Sequence, residues 1–287
     1  MGGRDRRCGW RGAAAGLIAA AALLAGASAA QAEYPVIYNL PAGWAATEAG
    51  QPPQGANDWS CKPTAVHPNP VVLVPGLSGS SGRDYQAAAP LLANNGYCVF
   101  AFDFSENGFE TIEDSAAGLS AFVDQVIAAT GAVKVDLVGH SQGGMMPRYY
   151  LKFLGGAGRV DDLVGLAPSN HGTTTPLAPL IGPGCRACAQ QVAGSRFMTR
   201  LNAGDETPGN VSYTVIETRN DEVVTPYASA FLPRGPRTTN VLLQDDCPLD
   251  PAEHVSIIYD PVALQWIENA LARPGPADAS FKPTCTP

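Results

Sequence analysis

The sequence predicts an α/β fold, a mostly parallel central sheet with helices on both faces, and three observations carry that reading. Short apolar runs at 71–74, 97–102 and 133–138 have the composition of strands buried on both sides. Segments with helical spacing of apolar residues alternate with them, which is the pattern of strands joined by crossover helices. Finally, Gly139-His140-Ser141-Gln142-Gly143 links the third run to a helical segment at 144–154. Its glycines remove β-carbons where the chain must double back, and its serine is left on a strained turn with the hydroxyl exposed. In a strand–turn–helix context this G-x-S-x-G reads as a nucleophile elbow.

Residues 1–32 read as a removable export leader. Arg4, Arg6, Arg7 and Arg11 make a positive start, and 13–24 is an apolar stretch too short to span a bilayer. Ala27-Ser28-Ala29 and Ala30-Gln31-Ala32 are small-residue cleavage sites, with the cut expected after Ala32. Arg6-Arg7 is a poor twin-arginine match, so the route is not specified. Residues 33–287 are expected to form a single domain of a size that supports one large core.

The full chain has 18 basic and 26 acidic residues; removing the leader's four Arg and one Asp leaves 14 and 25, a net of −11. An acidic surface argues against nucleic acid and against electrostatic docking on anionic membranes, and leaves approach to a lipid–water interface through apolar contacts open. A monomer is expected. Cys8 leaves with the leader. Cys61, Cys98, Cys185, Cys188, Cys247 and Cys285 remain, an even set that suggests three disulfides in a secreted, extracellular protein. Six cysteines allow 15 pairings, and spacing does not choose among them. Cys185-Arg186-Ala187-Cys188 lacks a second C-x-x-C or a nearby His pair, so a structural bridge fits better than half a zinc site.

Along the chain, 33–70 is rich in Pro, Gly and Ala and reads as a wrapping arm. Strand 71–74 runs into Pro75-Gly76-Leu77-Ser78-Gly79-Ser80, a loop. A helix is expected over 84–94, stopped at Gly96. Ile112, Ala116, Leu119, Val123, Val126 and Ile127 recur at helical spacing, with Thr111 as N-cap and Gly131 beyond the end. Further strands are expected at 163–166, 213–217 and 240–243. Asp260-Pro261 starts a last helix, Asp capping and Pro fitting the first helical position, which ends near Arg273-Pro274. Residues 171–210 break the alternation and carry an apolar patch at 176–181, an insertion suited to a lid or pocket wall or to ordinary surface.

A serine hydroxyl needs a base to take its proton and an acid to orient that base. Behind a nucleophile elbow the order is Ser, acid, His. Of the histidines, His67 and His140 precede Ser141, and the side chain of His140 is expected to point away from that serine. His171 has no earlier acid in a suitable loop, and is expected at a pocket rim or in a structural role. His254 is therefore the expected base. The acid is expected where strand 213–217 ends, at Asp221, with Glu222 as runner-up; Asp245, Asp246 and Asp250 read as surface charge, or weakly as a cation site. The developing oxyanion is expected to meet the backbone N–H groups of Gln142, next to the nucleophile, and Leu77, after the first strand.

Gly55-Ala56-Asn57-Asp58-Trp59-Ser60-Cys61, Val74-Pro75-Gly76-Leu77, the elbow with Gly144, Leu201-Asn202-Ala203-Gly204-Asp205-Glu206-Thr207-Pro208, Asn220-Asp221-Glu222-Val223-Val224 and Glu253-His254 together resemble the secreted actinobacterial class 2 lipases and, more distantly, Candida antarctica lipase B. The likeness runs from about Ala56 to Pro287. It implies an α/β-hydrolase fold with a lid- or cap-like insertion, a triad at Ser141, Asp221 and His254, and an oxyanion hole at Leu77 and Gln142. It also implies the pairings Cys61–Cys98, Cys247–Cys285 and Cys185–Cys188. The chain departs from the pattern at Pro75, where many relatives have His, and at Leu77, where lipase B has a threonine whose hydroxyl adds an oxyanion contact. The expected activity is hydrolysis of carboxylic esters through an acyl-enzyme, without a cofactor, as a lipase acting on triacylglycerols. A short-chain esterase, a polyesterase or an acyltransferase would use the same triad, and a non-catalytic binding protein is the remaining reading.

Overall fold

Strands β1 (Val71–Val74), β2 (Val99–Ala101), β3 (Val135–His140), β4 (Val160–Leu166), β5 (Ser212–Glu217) and β6 (Thr238–Leu242) form one sheet in the order β2-β1-β3-β4-β5-β6. Every neighbouring pair is parallel. The structure, a computed structural model, describes residues 1–3, 33–48, 50–176 and 184–285. Residues 4–32 of the expected leader, and most of the apolar patch at 176–181, lie outside them. Met1–Ala32 and Glu33–Pro287 are two compact units, and the description below concerns the second. Among the described residues no helix is long and apolar enough to cross a membrane.

Both faces of the sheet are covered, as the apolar runs predict. Val72, Val74, Phe100 and Leu137 pack on one side with Ile112, Leu119 and Val123; Val71, Leu73, Val99, Val138 and Leu166 pack on the other with Leu92, Leu264 and Trp266. Alternate residues of one strand thus enter opposite cores, the consequence of a two-residue side-chain period.

The helices that bear on the site are α1 (Leu40–Ala45), α2 (Ser81–Asp84), α3 (Ala88–Asn94), α4 (Ile112–Thr130), α5 (Gln142–Met145), α6 (Pro147–Phe153) and, in the insertion, α7 (Arg186–Gln190) and α8 (Arg196–Leu201); α9 (Leu243–Asp246) and α10 (Pro261–Leu271) follow β6. The expected caps are in place. Thr111 accepts from the Asp114 amide, Gly131 ends α4 in the left-handed region at φ 77°, and Asp260 accepts from the amides of Val262 and Ala263. The helix expected over 84–94 is shortened to α3, and α2 ends where it was expected to begin. Pro90 cannot donate to Gln86, whose carbonyl instead accepts from the Ile37 amide of the N-terminal arm. The third strand starts later than expected, because pairing with β4 begins at Val135, and it runs on through His140 into the elbow; Val133 is exposed. The fourth strand starts earlier, at Val160, and the sixth is shifted to Thr238–Leu242.

The arm closes the β2 edge of the sheet. Asn57 donates its amide to Val99 and accepts from the Ala101 amide, so it pairs with the edge as a short extra strand would. Tyr34 and Asn94 exchange two hydrogen bonds, and the Cys61–Cys98 bridge ties the arm to the start of β2. The other bridges are Cys185–Cys188 and Cys247–Cys285, so all three pairings implied by the resemblance are present.

Replacing both Cys61 and Cys98 by serine is expected to lower stability by about 2–4 kcal/mol, since the denatured chain regains the freedom of a closed loop. Urea unfolding of the double variant against wild type measures it, with far-ultraviolet dichroism reporting whether the sheet is kept.

Candidate active site

Strand order reverses at β1. The chain leaves β1 toward β2, then returns to lay β3 on β1's other side, and a crevice opens above the carboxyl ends of these two strands. The Gly76-Leu77 loop and the elbow both emerge there. Their backbones meet at close quarters. A β-carbon on Gly139 would overlap the Gly143 carbonyl, and one on Gly143 would overlap the carbonyls of Val74 and Pro75. Neither glycine has a positive φ; they are needed for approach, not for conformation. The strained residue is Ser141 itself, at φ 54° and ψ −117°.

Ser141 Oγ lies 3.0 Å from His254 Nε2, and His254 Nδ1 lies 2.7 Å from Asp221 Oδ2. All three side chains are buried. The other carboxylate oxygen of Asp221 accepts from the amides of Val223 (2.8 Å) and Val224 (2.7 Å). Asp221 therefore receives hydrogens on both oxygens and is held in one plane against the imidazole. The three residues expected to form a triad are brought together; Glu222, the runner-up, is exposed.

His140 departs from the expectation that it points away. Its ring lines the same cavity as Ser141, its Nε2 donates to the His254 carbonyl at 2.8 Å, and the two rings lie 5.0 Å apart. A β-carbon on Gly76 would come within 2.7 Å of His140 Nδ1, so glycine makes room for this ring as well. Burial, reinforced by the neighbouring imidazole of His254, pushes His140 down to about 3, leaving it a neutral donor. His171 is structural. Its Nδ1 donates to the Ser229 carbonyl (2.8 Å), and its Nε2 lies 2.9 Å from Glu206 Oε2. His67 stacks on Tyr97.

The loop carrying Leu77 is fixed from below. Buried Asp84, pushed up to about 6 by loss of solvent, accepts from the Gly76 amide at 3.1 Å. Gln142 is pinned by its side chain, which donates to Gly108 O (3.1 Å) and accepts from Gln191 (2.8 Å). Among the described residues, neither the Leu77 nor the Gln142 amide has a protein acceptor. Of the loop acids, Asp245 pairs with Arg219, Asp246 with Lys282, and Asp250 accepts from the Ala252 amide. They do not gather as metal ligands among the described residues. The three carboxylates that do approach one another, Asp136, Asp161 and Asp162, lie near the opposite ends of β3 and β4.

The cavity over the serine has a volume of about 280 Å³. Leu77, Val223, Val255 and Ile258 give it apolar walls, and Trp44 of α1, with the Arg83 guanidinium 4.9 Å above its ring, closes one side. Gln191 of the insertion forms part of the wall. A larger hollow of about 690 Å³ beside Tyr38, Leu249 and Tyr259 contains none of these side chains. Trp44, Arg83, Asp84 and Gln191 were not identified from the sequence. Asp84 and Gln191 carried no motif, and Trp44 stands in an arm without periodicity, so only the tertiary fold reveals them. The 201–208 motif has a physical cause in the buried Arg148, which donates to the carbonyls of Asn170 (3.0 Å) and Glu206 (3.2 Å) and to Asn202 Oδ1 (2.8 Å).

The sequence pattern of the family described as Lipase (class 2) matches residues 68–267. A triacylglycerol lipase of Pseudarthrobacter phenanthrenivorans is 43% identical over 89 residues, 28% of this chain and 27% of the relative. One from Burkholderia plantarii is also 43% identical over 89 residues, 28% of this chain and 24% of the relative. The chain thus aligns with only about a quarter of the length of these relatives. In structure it is similar to Aspergillus fumigatus lipase B, with a TM-score of 0.65 and 24% identity over 79% of this chain and 57% of that one. It is also similar to the mature Bacillus licheniformis lipase BlEst2, with a TM-score of 0.56 and 21% identity over 77% and 96% of the two chains. These likenesses establish the α/β-hydrolase fold. With a family match spanning well over half of its length, from the approach to β1 through most of α10, the chain belongs to the class 2 lipases.

Proposed function

We propose that this protein is a secreted serine hydrolase of carboxylic esters, a lipase whose substrate is an acyl ester presented singly or at a lipid–water interface. The observation that carries the reading is the continuous line from Ser141 Oγ through both nitrogens of His254 to Asp221, at 3.0 and 2.7 Å. In this reading Ser141 Oγ attacks the ester carbonyl carbon while its proton passes to His254 Nε2. Negative charge develops on the carbonyl oxygen and is met by the Leu77 and Gln142 amides. The ester C–O bond breaks, and His254 returns the proton to the departing alcohol. Water, deprotonated by the same nitrogen, then attacks the acyl-enzyme, and the acid leaves as Ser141 recovers its hydrogen. Asp221 stays ionised and balances the imidazolium at each stage. No cofactor enters these steps.

The apolar walls of Leu77, Val223, Val255 and Ile258 suit an acyl chain better than a charged substrate. The insertion at about 171–210 takes the role of pocket wall, through Gln191, and of lid. Three disulfides fit an oxidising compartment reached after loss of the 1–32 leader, with 33–287 as a monomeric catalytic domain.

Ser141→Ala is expected to lower kcat for a p-nitrophenyl ester by roughly 10⁴–10⁶-fold with the melting temperature unchanged, and Asp221→Asn by about 10⁴-fold, because the wrong imidazole tautomer is then favoured. Retained hydrolysis in Ser141→Ala overturns the assignment. A panel of esters of increasing acyl length, each measured below and above its solubility limit, tests the substrate class. A lipase is expected to gain rate as emulsion forms, whereas turnover confined to short soluble esters would reassign the protein as an esterase.

A further inference from the structure

Glu217 is the last residue of β5 and has no exposed surface. Its Oε1 accepts from the adjacent Thr218 amide at 2.7 Å. Its Oε2 is buried and receives no hydrogen from any N–H or O–H among the described residues. That side chain lies against Asp221, whose carboxylate already takes the His254 hydrogen on one oxygen and two backbone amides on the other. Two buried carboxylates in contact are stable as neighbours when one of them carries a proton.

The groups around the pair leave Glu217 as the one that holds it. Among the described residues no cation faces Glu217. The Arg219 guanidinium is half exposed and paired with Asp245, Asp250 is satisfied by the Ala252 amide, and Leu242 of β6 stands opposite in the sheet. Glu222 is exposed, and Glu253 is occupied by the amides of Val255 and Ser256. Among the described residues the cation that forms nearby is the transient imidazolium of His254, whose Nδ1 is on Asp221. Burial, with the charge of Asp221 added, holds the Glu217 carboxyl well above the usual range.

We propose that Glu217 is a positioning residue, a neutral carboxylic acid whose Oε2 hydrogen is donated to the Asp221 carboxylate and fixes it against His254. The chain then reads Glu217, Asp221, His254, Ser141, a line of four side chains in which every hydrogen is donated toward the single negative charge on Asp221. Glu217 does not touch substrate. It sets the orientation of Asp221 and keeps the net charge behind the imidazole at −1 rather than −2. This inference rests on the serine-hydrolase reading above.

The test uses the full chain and compares Glu217→Gln with Glu217→Ala. Glutamine reproduces both contacts, its amide N–H donating to Asp221 and its oxygen accepting from Thr218. Glu217→Gln is therefore expected to keep kcat within about twofold and to leave the acid-limb midpoint of the kcat/KM pH profile where it is in wild type. If Glu217 were ionised in the wild type, removing that charge would lower the midpoint by on the order of one pH unit, and such a shift overturns the proposal. Glu217→Ala is expected to lower kcat by roughly ten- to a hundredfold with KM nearly unchanged, as a misaligned Asp221 no longer holds His254 on line. An alanine variant that melts as a folded protein and keeps wild-type kcat also overturns it. Infrared spectroscopy gives a readout independent of turnover: a protonated-carboxyl band present in wild type and in Ser141→Ala, and lost in Glu217→Gln. Wild-type protein without esterase activity would sink the serine-hydrolase reading and this one together, whereas an active wild type with unaffected Glu217 variants sinks this one alone.

Discussion

The contact on which the site depends is between backbones. The turn from β3 into α5 folds so tightly on itself that Gly139 has no space for one further carbon, and it presses so closely on the end of β1 that Gly143 has none either. That proximity puts the amide after the nucleophile and the amide of Leu77 in one small volume, and it forces Ser141 into a conformation that L-residues avoid. The cost is met by two apolar cores gripping the strands from both sides. Nothing in the elbow is free to relax, because the strand before it and the helix after it are both buried.

Around this fixed point, polar side chains act mainly as struts. Asp84 holds the Gly76 amide, Gln142 and Gln191 clasp one another above Gly108, and His140 ties the carbonyl of His254 to the strand that bears the serine. Ser141 and His254 are thus referred to the same strand although 113 residues separate them in sequence. Their separation is set by β3, whose last residue holds the His254 carbonyl.

The fold and the side chains that meet at the elbow were legible in the sequence because each has a local cause. Continuous apolar runs mark strands covered on both faces, Thr111 and Asp260 mark helix starts, and G-x-S-x-G between strand and helix marks the turn. Asp221 and His254 followed from order and position alone. What was not legible depends on tertiary neighbours. Pro90 gave a reason to break the 84–94 helix, but the Gln86 carbonyl found its donor only in the distant arm. His140, inside the elbow, was expected to point away from Ser141, yet the missing β-carbon at Gly76 lets its ring fit beside the serine. Glu217 drew no expectation beyond ending the strand at 213–217, and its burial has no signature in spacing.

The arm before β1 has a consequence of its own. Trp44 forms part of the cavity wall, yet it lies outside 68–267, the stretch matched to the family, and the arm that carries it is tied down through Cys61 and Cys98. The entrance and the reaction centre therefore belong to different parts of the polypeptide. Ser141, Asp221 and His254 all lie within the matched stretch, while one wall of the cavity is delegated to a strap outside it, which can vary without displacing any of the three. Kindred enzymes sharing every polar group of the centre could then differ in what they admit.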